Sequence, residues 1–186
     1  MNSNRNLRLV KFAVLALLIA AFATQAWAED KKDKKRTLVT GTGNFVAQVT
    51  TTVEPLVPPC VLLSTRVGNV SFSGLIENAL EDGHVEARSL RDACAAPIQS
   101  TVMVTYTLAE ATVAGRTGGL ILEVHGIADG DVTVGAARPR FHFTIRGVSG
   151  DLKRATGAGQ LVGQATTTSA FNTYYAEILL PDDDKH

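Results

Sequence analysis

Along most of this chain apolar and polar residues alternate one by one, the period of a strand with one buried face. In Ser100–Leu108, Val102, Val104, Tyr106 and Leu108 share a face, opposite Thr101, Met103, Thr105 and Thr107. Leu120, Leu122 and Val124 then oppose Ile121, Glu123 and His125, and Phe141, Phe143 and Ile145 oppose His142, Thr144 and Arg146. In the last run Tyr174, Ala176, Ile178 and Leu180 oppose Tyr175, Glu177 and Leu179. Further β-rich stretches cover Thr37–Val53, Val67–Asn78 and Gly159–Thr167. Turn signals separate them at Pro58-Pro59, Glu81-Asp82-Gly83, Gly115, Asp129-Gly130-Asp131 and Ser149-Gly150-Asp151. One short helix is predicted over His84–Cys94, because Ala87, Leu90 and Cys94 fall on one helical face. No strand–helix–strand alternation occurs, which excludes a parallel α/β sheet. About eight strands joined by short turns fit an antiparallel barrel or a two-sheet sandwich, since both bury one face of alternating strands. With the apolar face inward, Glu123, His125, His142, Arg146 and Glu177 lie outside. The inward polar groups are then Tyr106, Tyr174 and Asn78, the candidates for contact with a ligand.

The ends of the chain read differently. Residues 1–28 have the pattern of a signal peptide: basic Arg5, Arg8 and Lys11, an apolar stretch from Phe12 to Phe22, and a small-x-small site at Ala26-Trp27-Ala28. The apolar run is short for a membrane span, and an uncleaved anchor is the competing reading. A Sec-type export signal followed by cleavage implies a periplasmic or extracellular protein that does not span the membrane. Residues 29–36 form a charged leader expected to be disordered, residues 37–181 a single β domain, and residues 182–186 a frayed tail. An oxidising destination makes Cys60 and Cys94 a natural disulfide, against the alternative of two free thiols.

Composition narrows the function classes. Of 186 residues, 18 are Lys or Arg and 18 Asp or Glu, so no global basic field exists to gather nucleic acid. Two cysteines cannot by themselves hold a structural zinc or an iron–sulfur cluster, and no cofactor or metal is expected. Glu123 and His125 share a strand face and could form an acid–base pair, but the outer face would leave them solvated. A metal site from His125, His142 and a carboxylate would lie outside as well. No Gly-x-Ser-x-Gly elbow is present. Gly157-Ala-Gly159-Gln-Leu-Val-Gly163 has the glycines of a phosphate cradle but leads into Gln164-Ala-Thr-Thr-Thr, which is no helix start. These glycines read as turns and bulges that let a sheet curl.

Four glycine-bearing segments occur in order: Thr40-Gly-Thr-Gly-Asn-Phe45, Phe72-Ser-Gly-Leu-Ile-Glu77, Gly115-Arg-Thr-Gly-Gly-Leu-Ile-Leu-Glu-Val-His-Gly126, and Gly150-Asp-Leu-Lys-Arg-Ala-Thr-Gly-Ala-Gly-Gln-Leu-Val-Gly163. Together they resemble the allene-oxide-cyclase-like barrel superfamily, which includes the plant dirigent proteins. The resemblance spans roughly Thr37 to Leu180. It implies an eight-stranded antiparallel barrel of calycin-like build with an apolar cavity, often assembled as a trimer. The leading functional expectation is an exported, non-catalytic binding or scaffold protein with an apolar small molecule in the barrel. The alternative is an isomerase, a cyclase or a dirigent-like protein acting on a lipid-like or phenolic compound, with Tyr106, Tyr174 and Asn78 placing polar groups on it. Ile121, Tyr175 and Leu179, apolar on the outer face, are the expected contact of a homotrimer.

Overall fold

The computed structural model describes residues 34–57, 60–131, 137–166 and 168–181. The expected signal peptide, the first part of the charged leader and the tail 182–186 lie outside the described residues. Nine strands are present: β1 (Lys34–Val57), β2 (Val61–Gly74), β3 (Ile76–Glu77), β4 (Gly83–Asp92), β5 (Gln99–Val113), β6 (Arg116–Asp129), β7 (Arg138–Gly147), β8 (Thr156–Ala165) and β9 (Ser169–Pro181). Around the wall the order is β1-β2-β4-β5-β6-β7-β8-β9 and back to β1, and the β5–β6 pairing closes the circle. The protein is thus an eight-stranded antiparallel barrel, with β3 as one extra strand paired outside the circle to β5. Closure removes the free edges that a sandwich of the same strands would leave.

The alternation read from the sequence holds strand by strand. Leu120, Leu122, Val124, Ile178 and Leu180 are almost wholly excluded from solvent, whereas Glu123, His125, His142, Arg146 and Glu177 are exposed. Strand β1 begins at Lys34, within the charged segment. Strand β5 continues past Leu108 through a bulge between Leu108 and Ala111, which restores Ala111 and Val113 to the interior.

One expected element is wrong. His84–Cys94 is not a helix: Gly83–Asp92 is strand β4, paired along its whole length to β5 and from His84 to Asp92 to β2. Two flanking strands satisfy its backbone, and its true period is two. Val85, Ala87 and Ser89 face inward, while Leu90, one of the three residues that suggested a helix, is exposed on the outer wall. Tertiary pairing overrides a weak local helical pattern. Among the described residues only short 3-10 turns remain, such as Leu80–Asp82 and Gly150–Leu152.

The glycine run also departs from expectation. Gly157, Gly159 and Gly163 lie inside strand β8, opposite the inward residues Ile178, Ala176 and Asn172 of β9. They serve close packing rather than turning: a Cβ on Gly159 would sit 2.6 Å from the Phe143 ring. Ile121 and Leu179 lie in one cross-strand row but are separated by Arg146 and Thr156, and Glu177 stands between Tyr175 and Leu179 along β9.

Candidate functional site

The two halves of the barrel interior are filled differently. In the half that holds β3 and the β5–β6 hairpin, Val39, Ile76, Leu108, Leu120, Leu152, Ile178 and Leu180 pack into a continuous core. Toward the other end, where β4 leads to β5 and β8 to β9, the inward residues become smaller. There Ala87, Ser89, Ser100, Ala128, Ala165 and Ala170 leave a partly open cavity of about 80 Å³, walled also by Phe45, Val85, Val102, Val104 and Phe141. One water needs about 10–15 Å³ of such space, so the cavity has room for a ring-sized group. Eight strands close a barrel just wide enough for side chains or one small ligand, and here small side chains leave the room.

Five polar side chains reach this cavity: Arg66 from β2, Ser89 from β4, Ser100 and Tyr106 from β5, and Asn172 from β9. Arg66 faces inward by the same alternation that places Gly68 and Val70 inside. Its Nη1 donates to the Thr166 carbonyl at 3.1 Å, and its Nε is buried without a partner. Burial, and then the charge of nearby Arg91, lower the Arg66 pKa from its ordinary value. Arg91 itself is held by Asp131 at 2.9 Å. Asn172 is 3% exposed, and its Oδ1 is buried without a hydrogen bond. The amide fits inside the wall because its neighbour in β8 is Gly163, where a Cβ would lie 2.6 Å from that Oδ1.

Of the three residues expected to line a ligand cavity, the structure places one there. Tyr106 is buried and lines the cavity, with its ring edge-on to Phe72 at 5.5 Å. Tyr174 lies beyond Phe72, in the packed half. Its hydroxyl accepts from the Ile76 amide at 2.8 Å and reaches the Ile76 and Ser73 carbonyls at 3.2 and 3.3 Å, which fastens β3 to the barrel. Asn78 does not line the cavity; it is half-buried beside the wall strand β2. Its Oδ1 accepts from the Phe72 amide at 2.8 Å and its Nδ2 donates to the Val70 carbonyl at 2.9 Å, holding the turn before β4. The sequence reading missed Arg66 because its strand began one residue later, at Val67. Stepping the alternation back from Val70 through Gly68 would have found it.

The acid–base pair stays outside. Glu123 and His125 border a shallow depression of the outer wall with Glu86, Arg88, Met103 and Thr105. At about 370 Å³ it is larger than the interior cavity, but its charged side chains are exposed to water, which leaves little to bind or activate a substrate. His125 and His142 are directly opposed on β6 and β7, yet among the described residues no group of three or more metal-ligating side chains forms. Cys60 and Cys94 are joined in a disulfide beside the β2–β4 ladder, where the Ala93 amide donates to the Cys60 carbonyl at 2.7 Å.

Burial pushes the Tyr106 hydroxyl well above its ordinary pKa of 10.0. The folded state therefore disfavours the phenolate. Stability is fully present below about pH 10, the unfolded value, and falls as pH rises beyond it. Chemical denaturation between about pH 10 and 12 is expected to show wild type losing stability faster than Tyr106→Phe. Equal losses would contradict it. Comparison with known proteins is silent on this site: no protein-family model matches the chain, and no curated protein matches it.

Proposed function

We propose that this is an exported, non-catalytic binding or scaffold protein that holds an apolar small molecule in the open half of its barrel. The observation that carries the reading is the cavity itself. A barrel that packs one half solidly leaves the other half open and lines it mainly with Val85, Ala87, Val102, Val104, Phe45 and Phe141. Mostly apolar walls with a few convergent polar groups are the usual form of a small-molecule site. The Cys60–Cys94 bond suits a non-reducing compartment, in keeping with the signal-like first 28 residues. The barrel agrees with the resemblance to the allene-oxide-cyclase-like superfamily, which we retain as part of the proposal. The isomerase or cyclase reading gains no support, because no carboxylate or imidazole among the described residues lines the cavity.

Methyl NMR with toluene as a neutral probe tests the proposal. Toluene is expected to shift Val85, Val102 and Val104 while leaving Val39 and Ile178, in the packed half, unmoved. No shift at the cavity valines would sink the reading.

A further inference from the structure

Arg66 is the feature the apolar reading does not use. Its side chain lines the cavity, and no carboxylate among the described residues pairs with it. The guanidinium makes one hydrogen bond, to a neutral carbonyl. Arg66 is half-buried, and even partial removal of an unpaired charge from water is unfavourable unless an opposite charge or several hydrogen bonds offset it. The neighbouring Arg91 shows the ordinary solution, with Asp131 as its counter-charge. Arg66 lacks that solution, and Arg91 opposes its charge further. A second observation is on the same side chain: its Nε is a buried donor with no acceptor, so this wall of the cavity lacks an acceptor that a ligand can supply. Ser100, buried, and the Tyr106 hydroxyl add donors to the same wall.

We propose that the ligand of this cavity is a small amphiphilic monocarboxylate, its carboxylate against the Arg66 guanidinium and its ring-sized apolar part among Val85, Val102, Val104 and Phe141. This rests on the binding reading above and adds the charge of the ligand. The planar guanidinium fork matches a carboxylate, and in a poorly hydrated site such a charge-assisted pair is about twice as strong as a neutral hydrogen bond. The Ser100 and Tyr106 hydroxyls supply further donors that carboxylate oxygens accept from. The cavity's about 80 Å³ limits the buried part to a ring or a short chain.

The test compares benzoate, benzyl alcohol and benzylammonium, which share a ring and differ in charge. Calorimetry on wild type is expected to give benzoate at least tenfold tighter than benzyl alcohol, with benzylammonium weakest. Arg66→Gln is expected to erase the benzoate preference while benzyl alcohol still binds. Should that variant fail to fold, Arg66→Lys, which keeps the charge and loses the fork, is expected to retain a reduced preference. Benzoate and benzyl alcohol binding equally to wild type overturns the anion assignment and leaves the apolar cavity standing. A preference that survives Arg66→Gln removes Arg66 as its source. If none of the three binds, both the assignment and the binding reading fall.

Discussion

Replacing Cys60 and Cys94 with serine is expected to lower the free energy of unfolding by about 3–4 kcal/mol. The bond closes a loop with a sequence separation of 34, and in the chain-entropy model its main effect is to restrict the unfolded chain. The native barrel holds the same ends by other means. Val61 pairs with Asp92 next to the bridge, the Ala93 amide donates to the Cys60 carbonyl, and the Asp92 carboxylate accepts from the Cys94 and Ala95 amides at 3.0 and 3.1 Å. The variant should therefore keep the β-rich spectrum of the wild type and unfold at a lower urea concentration. Reductant should reproduce that shift in wild type and do nothing to the variant. Coincident unfolding curves for oxidised wild type and variant would refute the argument. Below the bridge the inward rungs of β2 and β4 are Leu62 with Arg91, Ser64 with Ser89, and Arg66 with Ala87. Loosening that corner is expected to weaken ligand binding too.

The second large effect belongs to Tyr174→Phe. The substitution keeps the ring, including its edge-on contact with Phe72 at 5.7 Å, and deletes only the hydroxyl. What it leaves behind is a buried Ile76 amide with no acceptor, and Ile76 is fully excluded from solvent. An unsatisfied buried donor costs about 1–3 kcal/mol. A loss of roughly 2 kcal/mol by denaturant unfolding is the expected result, together with unchanged affinity for benzyl alcohol. The pairing of outcomes matters: a residue of the ligand site would lose affinity with little change in stability. Weaker binding at full stability would return Tyr174 to the cavity. Amide exchange at Ile76 gives a local readout, since its amide should lose protection before the rest of β3 and β5 does.

The three candidate residues show where reading from the sequence stops. Tyr106 and Tyr174 occupy equivalent inward positions of alternating strands, and nothing local separates them. One lines the cavity and the other lies behind Phe72, because depth along the barrel depends on how far each strand is staggered against its neighbours. Asn78 lies past the point where β2 ends and β3 leaves the wall, so its inward parity had no barrel to refer to.

What the sequence determined by itself is the fold class and the two faces of most strands. Alternation of large apolar and polar side chains is a local signal, and burying one face of a sheet leaves little freedom in how to satisfy it. Leu120, Leu122, Phe143, Ile145, Ile178 and Leu180 were legible for that reason. The pairing of the two cysteines was legible as well, since one even pair has only one partner. The tertiary structure alone decided β4 and the cavity. Strand β4 shows the interior mostly small or polar side chains, Gly83, Ala87, Ser89 and Arg91, whose inward direction becomes evident only when β2 and β5 flank them. The same small residues make the cavity, and closure of β5 on β6 brings Arg66, Tyr106 and Asn172, far apart in sequence, around one space. Hydrophobic burial selects large residues and so marks a core in advance. A binding cavity is made of what is missing from that core, and an absence has no local period to read.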